Sequence, residues 1–166
     1  MIRHISAILL ATALATACSS RPDPAPVEQA RQTVDPQTLV PAVNVVPESG
    51  LGPQQLERNE CGLFLWNRTE PTQFIFFEKA QSGRATMQIG AEAVEVTQTI
   101  NRGEIFGEFM TEQGFAAPGG EQVMLTVVPG EPLQGGQRVE QGKLEIVTPE
   151  GWRTLIPVLG VRACQP

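Results

Sequence analysis

The chain has 166 residues, with 12 Lys and Arg against 18 Asp and Glu, a net charge of −6, one His and no Tyr. An acidic balance without a basic cluster makes nucleic acid and anionic lipid surfaces poor partners. His4 is the only His and no Asp follows Asp35, which excludes Ser-His-Asp and Cys-His nucleophile systems and the common His-based zinc sites.

The N-terminus opens with Arg3 and His4, followed by an apolar or small stretch from Ile5 to Ala17. A short positive start before such a run is the pattern of a secretory signal. About a dozen apolar residues are too few to cross roughly 30 Å of hydrocarbon as a helix, so a permanent span is the weaker reading. The run Leu14, Ala15, Thr16, Ala17, Cys18 resembles the lipobox of bacterial lipoproteins. The resemblance implies a diacylglyceryl group on Cys18, cleavage just before it, and a mature protein that begins at that residue. Ser19, standing where an Asp often retains lipoproteins at the inner membrane, favours the outer membrane with the domain facing the periplasm. The alternative is an ordinary secretory signal cut after Ala-Thr-Ala, which would release a soluble periplasmic protein. Loss of Arg3 with the signal leaves a net charge of about −7, so attachment to the membrane must come from acyl chains.

Residues 18–54 carry Pro22, Pro24, Pro26, Pro36, Pro41, Pro47 and Pro53 among few aromatics. Such a composition cannot offset the cost of ordering and is biased to extended conformations, which predicts a flexible tether. Fully extended, about 35 residues would reach on the order of 100 Å. The stretch from Thr38 to Val46 is more apolar than a spacer requires and is expected to dock on the folded domain.

Residues 55–166 are an ordinary length for one domain with its own core. Short apolar runs are split by turn signals about every ten residues, which predicts an all-β sandwich or barrel. Strands are expected over 62–68, 73–79, 85–89, 93–99, 122–128, 143–148 and 152–163. Ala85, Met87 and Ile89 alternate with Thr86 and Gln88, placing the first three on one face and the last two on the other. Thr148, Pro149, Glu150 and Gly151 suit a type I turn, so the last two strands should form a hairpin. Ser82-Gly83 and Gly90-Ala91 are further turns, and 55–60 has the makings of one helical turn.

If lipid takes Cys18, Cys61 and Cys164 remain as a pair that brackets the domain. In an oxidising compartment they are most simply a disulfide, which makes the first and last strands neighbours in a sheet that nearly closes. Neither Cys lies in a Cys-x-x-Cys motif, and no metal site or cofactor is expected.

One catalytic arrangement remains, a Glu pair of the kind glycoside hydrolases use, either Glu104 with Glu108 or Glu95 with Glu145. The competing reading has Ile105, Phe106, Phe109 and Met110 in the core and the carboxylates solvated. Phe106, Phe109, Trp66 and Trp152 are the candidate ligand or partner surface, with glycan stacking as one use of the rings. The sequence therefore points to a non-catalytic binding or structural module at the cell envelope, facing a protein or glycan partner. A β-barrel inhibitor or ligand carrier is the alternative, and a Glu-based hydrolase the least favoured. A deep apolar cavity would indicate a carrier, carboxylates about 5 to 9 Å apart in a groove a hydrolase, and a flat apolar patch a protein partner.

Overall fold

The computed structural model describes residues 43–166; the expectations for the signal, Cys18 and most of the Pro-rich stretch fall outside the described residues. Eight strands follow in order: β1 (Cys61–Asn67), β2 (Phe74–Lys79), β3 (Arg84–Ile89), β4 (Glu92–Phe106), β5 (Phe109–Ala116), β6 (Gln122–Leu133), β7 (Gly136–Val147) and β8 (Arg153–Cys164). Each pairs antiparallel with the next, and β8 returns to β1, so the fold is all-β and a closed barrel rather than a sandwich.

Alternation of apolar and polar residues decides which side of each strand meets the core. In β6, Val123, Leu125 and Val127 are buried, and in β8 Ile156 and Val158 are buried between exposed neighbours. Leu63, Leu65, Phe76, Met87, Phe115, Leu125, Leu144 and Ile146 are all essentially inaccessible. The rings of Phe76 on β2 and Phe115 on β5 meet edge-on at 5.5 Å, so side chains from non-adjacent strands touch across the lumen. The interior is a packed core, and each of these side chains contributes roughly 1.5 to 3 kcal/mol through burial.

Cys61 and Cys164 face each other in the β1–β8 register, with α-carbons 4.0 Å apart, and are joined as a disulfide. The bond spans 103 residues of sequence and ties the barrel's first strand to its last. The β7–β8 hairpin turns at Thr148–Gly151, where Gly151 N–H donates to Thr148 O at 2.9 Å.

The number and bounds of the strands need correcting. Seven were expected, but β4 runs on for 15 residues and β5, at 109–116, was not foreseen. Glycines at 103 and 107 interrupt the apolar pattern there. Gly107, at φ 62°, occupies the first position of a two-residue hairpin loop, where type II′ geometry demands a positive φ. Strands β6 and β7 also reach further than predicted, through Pro129 and Pro132, because register shifts absorb the missing donors. Bulges in the β4–β5 and β7–β8 pairs add the local twist that a small barrel needs to close.

In β3, Ala85 and Met87 are buried, Thr86 and Ile89 half-buried, and Gln88, on the face opposite Ala85 and Met87, is buried too. Chain preceding β1 crosses that end of the barrel. Gly90 N–H donates to Val45 O at 3.3 Å, Glu48 N–H donates to Gly90 O at 2.9 Å, and Val45 itself belongs to the core. Further along, Leu51 N–H donates to Phe74 O. Within 55–60 the chain turns only at Arg58 and Asn59, closed by Glu60 N–H donating to Glu57 O at 3.0 Å, and makes no helical element.

Candidate functional site

Phe106 and Phe109 are buried core residues and therefore not part of an accessible surface, which corrects that assignment. They are register partners flanking the Gly107-Glu108 loop, and the hairpin turns both rings inward. Above the loop, Glu108 accepts from the guanidinium of Arg162 at 2.8 Å and lies 4.0 Å from the Cys164 sulfur.

Three of the four carboxylates expected in catalytic pairs are held by arginines. Glu95 pairs with Arg84 at 2.8 Å and Glu145 with Arg153 at 2.7 Å. Glu95 lies on β4 and Glu145 on β7, with β5 and β6 between them, and their carboxylates are turned apart, one to Arg84 on β3 and the other to Arg153 on β8. Glu104 is exposed, while Glu108 is held by Arg162. Among the described residues these Glu pairs do not form a catalytic groove.

A different carboxylate is chemically unusual and was not singled out from sequence. Glu78 shares the inner side of β2 with Phe76 and is only 3 % exposed. Its Oε1 accepts from Gln98 Nε2 at 3.3 Å, Gln98 also donates to Gln113, and Oε2 has no partner. Removal from water pushes its pKa up to about 8, opposed by the amide of Gln113. Strand β2 reads Phe-Ile-Phe-Phe-Glu-Lys, apolar on both faces, so alternation does not reveal that Glu78 points inward. Its neighbours are the amides of Gln98 and Gln113 and the buried side chains of the core.

The outer face of β8 has the opposite character. Leu155 and Leu159 are 59 % and 39 % exposed, with exposed Pro157 between them, although they belong to the strand that closes the barrel. Trp66 is the register partner of Leu159 on β1, half-buried, with its ring 5.1 Å from that of Phe74. Trp152, at the entrance to β8, is 54 % exposed. The structure thus sets Trp66 beside the apolar stripe and leaves Trp152 exposed just before β8, while Phe106 and Phe109 lie in the core.

Charged residues frame this stripe in an ordered way. Lys143 on β7 is the register partner of Pro157, and Arg68, just past β1, donates its backbone N–H to Pro157 O at 2.9 Å. Both cations are exposed, and among the described residues neither forms an ion pair. Glu145, opposite Leu155, is neutralised by Arg153. A depression of about 720 Å³ lined by Glu131, Leu133, Arg138, Glu140, Leu159 and Val161 extends the surface toward the β6–β7 hairpin. No protein-family model, curated protein or solved structure matches this chain. The surface chemistry must therefore carry the functional argument by itself.

A second depression of about 350 Å³ lies on the outside of β4 to β7, walled by Ile100, Gly114, Met124 and Val147. A Cβ at Gly114 would sit 2.9 Å from that of Ile100, so the glycine makes room for the isoleucine and the hollow follows from strand packing. It lacks charged groups comparable to those beside β8.

Proposed function

We propose that this protein is a lipid-anchored module of the bacterial cell envelope, non-catalytic, which works by docking another macromolecule on the outside of its barrel. The lipobox-like run at 14–18 supports the anchor, and the Pro-rich composition that follows supports a tether. One observation carries the docking part: the side chains that a soluble sheet would make polar are apolar along β8. A lumen filled by Phe76, Phe115 and the surrounding aliphatic residues argues for recognition on the outer surface rather than carriage of a small ligand inside. Leu155, Pro157 and Leu159 form a contiguous stripe beside Trp66, the composition typical of interface centres, where aromatic and aliphatic anchors are ringed by polar groups.

The anchor is tested by Cys18→Ala. The variant should leave the membrane fraction or accumulate unprocessed, and the mature N-terminus should lose the mass of its acyl chains. An unchanged fractionation and N-terminal mass would refute lipidation. Release of soluble fragments from purified peptidoglycan by the isolated protein would refute the non-catalytic reading.

A further inference from the structure

We infer that the β8 face recognises an acidic protein surface: apolar side chains seated on Trp66, Leu155 and Leu159, with carboxylates on either side reaching Arg68 and Lys143. This inference rests on the docking reading above and specifies the partner's chemistry. Three observations support it.

The barrel is closed, β1 to β8, so no strand of it offers a free edge to a partner. Recognition by strand addition is thereby excluded for the barrel wall, and side chains must supply affinity and specificity. On β8 the outward side chains are apolar, which supplies area but little direction.

Direction comes from the cations. Arg68 and Lys143 flank Pro157 from β1 and β7, one on each side of the stripe. Two strand spacings put their α-carbons about 10 Å apart, the span of three residues of extended chain. On a chain of net charge −6, two exposed cations without ion-pair partners among the described residues flank the stripe at Pro157, while past Leu159 the depression carries Glu131 and Glu140 beside Arg138, so the positive row is confined to the Pro157 level. The neighbouring Glu145 does not cancel them, since Arg153 already holds its carboxylate. A partner with acidic groups about 10 Å apart around an apolar centre is complementary to that row.

An anionic lipid surface shares part of this chemistry but fits less well. A membrane presents an extended negative plane and senses the whole acidic molecule, whereas a protein epitope meets only the local row. The occupant is therefore assigned as protein.

The experiment places a photo-reactive benzophenone side chain at Leu159 in the full chain, in intact envelopes, with a second probe at Ile105 on the β4–β5 hairpin as reference. The Leu159 probe should give a protein adduct whose crosslinked peptide contains Asp or Glu beside apolar residues. Combining it with Arg68→Glu and Lys143→Glu should lower the yield roughly tenfold or more, as expected when like charges replace complementary ones. Arg68→Gln with Lys143→Gln, which introduces no repulsion, should give a smaller loss and a yield less sensitive to salt. Adducts only with phospholipid, only with a second copy of this chain, or with yields indifferent to both pairs of substitutions would overturn the inference. A protein adduct from Ile105 alone would also overturn it while leaving a docking function intact; silence from both probes would remove both.

Discussion

At the residue scale, Glu78 is the group whose chemistry departs furthest from its behaviour in water. Its pKa, raised from 4.5 to about 8 by desolvation, means that the folded protein keeps the proton while the unfolded chain releases it. Below about pH 4.5 both states are protonated and burial carries no ionisation penalty. From there to about pH 8 the unfolded state binds fewer protons, so stability falls as pH rises, and above pH 8 the loss levels off. Glu78→Gln removes the titration while retaining an acceptor for Gln98. Urea unfolding should show the variant gaining on the parent by about 2 kcal/mol or more between pH 5 and pH 9. Parallel pH profiles for the two proteins would show that Glu78 ionises normally and that water reaches it. The sequence hides this residue because Phe74, Ile75, Phe76 and Phe77 precede it without alternation. By contrast, Trp66 and Trp152 are legible as surface candidates since each stands near a strand end among polar residues.

At the scale of elements, the β1–β8 pair is both the closure of the barrel and the support of the apolar stripe. Its register runs from Cys61–Cys164 at one end to Asn67–Val158 at the other, with Trp66–Leu159 one step inside. Replacing Cys61 and Cys164 by Ala should lower stability by about 2 to 5 kcal/mol, read from denaturant midpoints, because the unfolded chain regains the freedom of a loop of about 100 residues. An unchanged midpoint would mean that hydrogen bonding along β1 and β8 alone determines closure. That these strands are neighbours follows from cysteine arithmetic. The existence of β5 does not, because Gly103, Gly107 and Gly114 break the pattern by which a strand is recognised, and turn geometry and close packing are what those glycines serve. The apolar face of β8 was equally obscure. In Leu155-Ile156-Pro157-Val158-Leu159 both faces are apolar, and only the closed barrel shows that the odd-numbered residues are outside.

At the scale of the whole molecule, the described residues form a packed barrel, proposed to be carried on a lipid-anchored tether and to dock a partner on its exterior. The filled lumen supports stability, and the apolar stripe of β8 is the face proposed for docking. The most direct measurement is the labelling rate of a single added thiol with a membrane-impermeant maleimide, comparing Leu159→Cys with Thr99→Cys on the far side of the barrel. Each rate is taken for purified protein and for permeabilised envelopes. Docking through β8 predicts that position 159 reacts about tenfold or more slowly in the envelope than in isolation while position 99 changes little. Equal labelling of both positions in both settings would contradict the claim that this face is occupied where the protein works.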